Sequence, residues 1–218
     1  IKESCKKPSF DKSGIDTLLD VYDKSLFECG SEIIKKRAEF IESLNPLMKK
    51  VHGVITAGKE DLSLLYAPNI DISAYEEELR VSRQKDIATL QTGCGPHRDD
   101  ISFMVRNYHS GKLSNRSIDI RKFGSQGQQR TCALSLKLAE LDFIKEETDE
   151  KGILLLDDVM SELDEDRRNY LIGSLKENQI FVTATDLDKN LISNYPSAKV
   201  VKISNGHGID IGGRLKVK

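Results

Sequence analysis

The 218-residue chain contains no tryptophan, only 6% aromatic residues, and four widely separated cysteines. Few aromatics argue against a platform on which single-stranded bases would stack. Cys5, Cys29, Cys94 and Cys132 form no CxxC pair and have no neighbouring histidine at zinc-finger spacing, so four reduced thiols of a cytoplasmic protein are expected and a structural zinc site is not. Lys plus Arg total 33 against 35 for Asp plus Glu, a formal net charge of −2. Without a bulk basic field, any nucleic-acid contact must use a local patch. No apolar run approaches the roughly 20 residues of a membrane span, and 31% of residues are charged, so a soluble protein is expected. The opening Ile1-Lys2-Glu3-Ser4 has neither an initiator methionine nor a signal-peptide pattern and reads as a start within a longer chain.

Helical periodicity dominates the first ninety residues. Leu18, Leu19, Tyr22, Leu26, Cys29 and Ile33, then Ile41, Leu44, Met48 and Val51, recur on one helical face. A break is expected near Asn45-Pro46, because proline disfavours helical geometry in the residue before it. Ser73-Ala74-Tyr75-Glu76 reads as a capping box opening a second helix to about Leu90. At Gly93-Cys94-Gly95-Pro96 the period switches to alternation, with Ile101, Phe103 and Val105 on one side of a strand and Ile118 and Ile120 as its hairpin partner. A helix over 126–147 should bury Ala133, Leu134, Leu138, Leu141 and Ile144. A strand over 153–156 that is buried on both faces, a helix over 165–177, and strands over 180–184 and 199–203 complete an α/β alternation. Asn205-Gly206 turns into a short last strand.

Three stretches invite a chemical reading. Gly53-Val54-Ile55-Thr56-Ala57-Gly58-Lys59-Glu60 has the glycine and lysine spacing of a phosphate-binding P-loop. Glu60, however, stands where a Mg²⁺-holding hydroxyl belongs, and the preceding residues are helical, so a polar turn is expected instead. Phe123-Gly124-Ser125-Gln126-Gly127-Gln128 contains an S-x-x-Q capping box, which an ordinary helix start would explain. It would not explain Gly127 in the first turn, where glycine costs about 1 kcal/mol relative to alanine. A residue without a side chain there lets an anion reach free backbone N–H groups at the positive end of the helix dipole. The third stretch, Ile153-Leu154-Leu155-Leu156-Asp157-Asp158, sets two carboxylates at the carboxyl end of an apolar strand, where open α/β sheets bind ligands. Such acids either begin a turn or serve Mg²⁺ and an attacking water. Gly95-Pro96-His97-Arg98-Asp99-Asp100 is open between a nucleotide or DNA contact and a salt-bridged lead-in to a strand.

Ser125 to Gln128 resembles the signature motif of ABC-type ATPases, residues 153–158 their Walker B strand, Ser161-Glu162-Leu163-Asp164 their D-loop, and Thr185 their switch position. With Gly95 to Asp100 and Thr183-Ala184-Thr185-Asp186-Leu187 added, essentially the whole chain resembles the RecF family of recombination mediators, relatives of the heads of SMC and Rad50 proteins. The resemblance implies an α/β fold: the C-terminal part of an ABC-type P-loop NTPase head over 93–218, appended to a mostly helical lid subdomain over 1–92.

The same resemblance implies roles residue by residue. Ser125, Gln126, Gly127, Gln128, Ser161 and Asp164 would bind nucleotide, Asp157 would hold Mg²⁺, and Asp158 and Thr185 would be catalytic. The intact protein would bind ATP and Mg²⁺, close as a head-to-head homodimer, and grip duplex or gapped DNA and single-strand junctions. It would then act with RecO and RecR to load RecA in replication, recombinational repair and the SOS response. Walker B ending in Asp158 where most ABC members have glutamate, and Thr185 in place of histidine, imply slow, DNA-dependent hydrolysis. In this reading the Walker A lobe and the Q-loop precede Ile1, so the chain alone is expected to be inactive and to bind ATP weakly. Other readings are a non-catalytic interaction scaffold whose lid binds a protein partner, the head of another SMC- or Rad50-like ATPase, and a metal-dependent hydrolase on Asp157 and Asp158. Against the last, no further ligand stands at metal-binding spacing around the two acids.

Overall fold

In the computed structural model, α1 (Lys12–Ile55) is one continuous helix with Pro46 inside it, so the expected break does not occur. Proline in a helix interior costs about 3 kcal/mol. Leu44 and Met48, one helical turn apart across it, are fully buried and contribute about 1.5–3 kcal/mol each, enough to offset that loss. The structure describes residues 12–109, 112–174, 179–185, 193, 195, 197–204 and 207–210.

The end of α1 explains the P-loop-like spacing. Gly58 N–H donates to Gly53 O at 2.7 Å and Ala57 N–H to Val54 O at 3.1 Å, while Ala57 and Gly58 take positive φ of 50° and 70°. This is a Schellman ending, which satisfies the last helix carbonyls through a left-handed residue. The stretch is therefore a helix terminus followed directly by β1 (Glu60–Ala67), a strand the sequence reading missed.

Helix α2 (Ile72–Thr89) starts two residues earlier than the expected capping box. Its cap is Asp71, whose Oδ1 accepts both the Ser73 N–H at 2.9 Å and the Ser73 hydroxyl at 2.6 Å. A 3-10 turn at Pro96–Arg98 precedes β2 (Asp100–His109). Strands β3 (Lys112–Leu113) and β4 (Ile118–Asp119) both pair antiparallel with β2, with Val105 opposite Ile118. Ile118 is thus the expected hairpin partner, whereas Ile120 already begins the short α3 (Ile120–Phe123), capped by Asp119.

α4 (Gln126–Thr148) buries Thr131, Cys132, Leu134, Ser135, Leu138 and Ala139. Ala133 and Ile144, expected on that face, are exposed, because the buried stripe includes polar residues that a purely apolar count overlooks. β5 (Ile153–Asp157), α5 (Glu165–Ser174) and β6 (Gln179–Thr183) form the parallel unit, with Asp157 in register with Thr183. β5 is not buried on both faces: Leu154 and Leu156 are, but Ile153 is 60% and Leu155 72% exposed. Among the described residues β5 pairs only with β6, and the second face of this two-stranded sheet has no covering layer. β7 (Val201–Ser204) pairs antiparallel with β8 (His207–Asp210) instead of joining β5 and β6. The Asn205-Gly206 turn and residues 175–178 lie outside the described residues.

Contacts divide the chain into two compact units, residues 1–43 with 64–102, and residues 44–63 with 103–218. In the first, Ile34, Tyr75, Leu79 and Cys94 form a core flanked by Phe27, Tyr66, Ile70 and Ile72. In the second, Val51 and Ile55 at the end of α1 pack with Leu134 and Leu138 of α4, Leu154 and Leu156 of β5, and Leu171 and Ile172 of α5. That core fixes the start of α4 and the ends of β5 and β6. No described helix is long and apolar enough to cross a membrane.

Candidate functional site

Ser125 caps α4 in the expected reciprocal manner: its Oγ accepts the Gln128 N–H at 3.2 Å, and Gln128 Oε1 accepts the Ser125 N–H at 3.0 Å. Ser125, Gln126 and Gly127 are exposed, so the helix start faces solvent, with the Ser125 and Gln128 N–H groups closed by the capping box. Among the described residues, a Cβ built on Gly127 would meet nothing nearer than Arg167 Nη1 at 3.8 Å, an ordinary contact. Packing among these residues therefore does not require glycine here.

Arg167 ties this helix start to the D-loop stretch. Its guanidinium pairs with Asp164 at 3.0 Å, and Asp164 Oδ1 accepts the Arg167 N–H at 3.0 Å, capping α5. A cation thus stands beside the glycine, which suits an anionic guest. Ser161 lies in a 3-10 turn, Val159–Glu162; its side chain is outside the described residues.

The Gln128 side chain does more than close the capping box. Its Nε2 donates to Glu60 Oε1 at 2.9 Å. Glu60 Oε2 in turn lies 3.0 Å from His52 Nε2, and His52 Nδ1 lies 2.9 Å from Ser135 Oγ. His52 is fully buried. The hydrogen bond from His52, assisted by that from Gln128, outweighs desolvation and holds the Glu60 carboxyl below its ordinary range. Sequence reasoning missed both His52 and Glu60; the one signal was a carboxylate where the P-loop pattern wanted a hydroxyl.

At the carboxyl end of β5, Thr183 Oγ1 donates to Asp157 Oδ1 at 2.5 Å, leaving Oδ2 without a partner among the described residues. Asp158 turns into the left-handed region at φ 51°, which aspartate tolerates better than most side chains. Both acids are exposed. Thr185 is also exposed, two residues beyond Thr183; Asp186 and Leu187 lie outside the described residues. An exposed carboxylate with one oxygen open fits a water-coordinated Mg²⁺, which takes one or two carboxylates plus substrate oxygens. Among the described residues no group of three or more His, Cys, Asp or Glu side chains is placed to hold a metal ion.

The 95–100 stretch belongs to the other unit and is a tied-down strand lead-in. Asp99 Oδ2 accepts Arg37 Nη1 at 2.9 Å and the Tyr66 hydroxyl, and its Oδ1 accepts the Asn69 N–H at 2.9 Å. Burial and then Asp99 push the Tyr66 hydroxyl up to about 12. His97 and Arg98 both reach Thr92 O. A cavity of about 590 Å³ beside them is lined by Leu26, Ile33, Tyr75 and Cys94 among others, and by no signature or Walker B residue.

The chain is 43% identical to the "DNA replication and repair protein RecF" of Lachnospira eligens over 192 residues, 88% of this chain and 50% of that protein. It superposes with TM-score 0.70 on a solved structure of "the recombination mediator protein RecF-ATPrS in RecFOR pathway", 34% identical over 90% of this chain and 51% of that one. A structure described under "ATP-driven dimerization and DNA stimulated activation of SMC ATPases" matches at TM-score 0.50 and 14% identity, covering 82% of this chain and 88% of that one, which speaks to the α/β fold alone. No family model matches the chain. The chain spans about half the length of the curated relatives it matches. Its sequence and its fold agree, and the chain belongs to the RecF family.

Proposed function

We propose that this chain is the C-terminal half of an ATP-dependent DNA-repair protein that acts as a dimer around bound nucleotide. Residues 1–92 act as its lid and 93–218 as half of its ATPase head. The observation that carries this reading is the start of α4: a capped, solvent-facing helix terminus with an uncrowded glycine and the Arg167 cation beside it. Ser125 and Gly127 receive the terminal phosphate of ATP held by a second copy, while Gln126, Ser161 and Asp164 border the same nucleotide. Asp157 holds Mg²⁺, which neutralises developing phosphate charge when bound. Asp158 orients the attacking water, and Thr185 takes the place of a switch residue. Ile153, Leu155 and Phe181, all more than half exposed, form the sheet face that the other half of the family's length covers.

Binding of DNA, cooperation with RecO and RecR, and loading of RecA in the cytoplasm are part of the same proposal, supported by the likeness to relatives described as acting in DNA replication and repair and in the RecFOR pathway. Hydrolysis then acts as a release signal, because loss of the phosphate removes the ligand that bridges the two copies. Ser125→Arg tests the reading in the full-length protein. It costs a cap of about 1 kcal/mol under any interpretation, but only a phosphate-receiving role makes the added side chain block association. Sedimentation with ATP should show monomer for the variant and dimer for the parent; an undiminished dimer would reduce the segment to an ordinary helix start.

A further inference from the structure

We infer that Glu60, supported by His52, is a positioning residue for the signature segment: it fixes the Gln128 amide, and through it the helix start at which the Ser125 hydroxyl and the Gly127 backbone are offered to phosphate. The inference rests on the reading above and deepens it.

A primary amide can face either way, and Gln128 must present Oε1 to the Ser125 N–H to close the capping box. Glu60, ionised, offers only acceptors. With Oε1 of Glu60 2.9 Å from Gln128 Nε2, the flipped amide would set oxygen against oxygen, so one orientation is selected. Glu60 is itself held by a second partner, since its other oxygen meets His52 Nε2 at 3.0 Å. His52 is anchored in turn: it is wholly buried, and its Nδ1 lies against Ser135 Oγ, whose hydroxyl also reaches Thr131 O at 2.8 Å. The Schellman ending of α1 brings His52 and Glu60 face to face across a tight turn. The stretch with P-loop spacing thus binds no phosphate itself; it sets the terminus that would.

The chemistry of the network separates loss of the hydrogen bonds from loss of the charge. Glu60→Ala removes the acceptor for both Gln128 and His52. Glu60→Gln keeps it, because Oε1 can still accept from Gln128 while its amide N–H donates to a His52 that carries its hydrogen on Nδ1, the neutral tautomer. In the 218-residue chain, exchange of the Ser125 N–H with water, measured by NMR, should be about tenfold faster in Glu60→Ala and close to the parent rate in Glu60→Gln. A parent-like alanine variant, or a glutamine variant as fast as alanine, would overturn the inference. Should the alanine variant not fold, the parent chain answers alone: one Gln128 Nε2 hydrogen is donated to Glu60, so the pair should exchange at rates differing by about tenfold, and equal rates overturn the proposal. In the full-length protein, Glu60→Ala should weaken ATP-dependent dimerisation about tenfold, with Glu60→Gln restoring it; unchanged dimerisation in Glu60→Ala counts against positioning. Absence of an ATP-dependent dimer in the parent itself would sink the functional reading while leaving the exchange result to stand.

Discussion

Thr183 donates its hydroxyl hydrogen to Asp157 Oδ1 at 2.5 Å, and the same hydroxyl oxygen accepts the backbone N–H of Asp158 at 3.1 Å. One side chain on β6 therefore orients the carboxylate of one acid and the backbone of the next. The parallel register that sets Asp157 opposite Thr183 makes this possible.

Thr183→Val is nearly isosteric and removes both bonds. Asp158 N–H retains its second acceptor, Thr183 O at 3.2 Å, so the stability loss should stay near 1 kcal/mol. In the full-length protein, Mg²⁺-dependent ATP hydrolysis should fall about tenfold or more, and Thr183→Ser should restore it. Hydrolysis at the parental rate in Thr183→Val would mean that Asp157 needs no such orientation.

How much of this was legible in the sequence depends on where each residue's partner lies. The cap of α4 reads correctly because Ser125 and Gln128 are local to one turn. The parallel pairing of β5 with β6 reads correctly because two short apolar strands flank a helix. β1 was missed because its opening acids look like loop. Asp61 is in fact nearly buried, paired with Lys49 at 2.7 Å and Arg106 at 2.6 Å. Burial pushes its carboxyl up, but the hydrogen bonds from Lys49 and Arg106 outweigh that and hold it low. Glu60 and Thr183 were missed for the same reason, since their partners come from distant elements. Leu155 failed differently: its exposure depends on what covers the sheet, which no local pattern encodes.

Asp158→Asn removes the charge at nearly constant shape. Asparagine also tolerates the left-handed conformation found at φ 51°, and both backbone bonds to Thr183 survive. ATP-dependent dimerisation of the full-length variant should match the parent, while hydrolysis slows about a hundredfold or more. Parental turnover would remove Asp158 from any role in orienting water.

The thiols should separate by reactivity. Burial first, then the charges of Glu60 and Asp119, push Cys132 up to about 12, so almost no thiolate exists at pH 8 in the folded chain. Cys29 is exposed. Brief iodoacetamide treatment at pH 8 followed by peptide mapping should find Cys29 alkylated and Cys132 untouched, with Cys132 reacting once the chain is unfolded in guanidinium. Early labelling of Cys132 in the folded chain would contradict the buried packing of α4.

Gly127→Ala sets packing and ligand recognition against each other. Among the described residues the added methyl meets only Arg167 Nη1 at 3.8 Å, and alanine is favoured over glycine in a helix by up to about 1 kcal/mol. Thermal stability of the variant should therefore equal or exceed that of the parent. If the first turn receives phosphate, the same methyl holds an oxygen away from the N–H groups, and the ATP-dependent dimer should weaken even though the fold does not. Sedimentation and thermal melts on one full-length preparation would read both quantities. A variant that is as stable as the parent and dimerises as tightly would show that the glycine serves no bound anion, and the assignment of α4 as a phosphate-receiving terminus would fail with it.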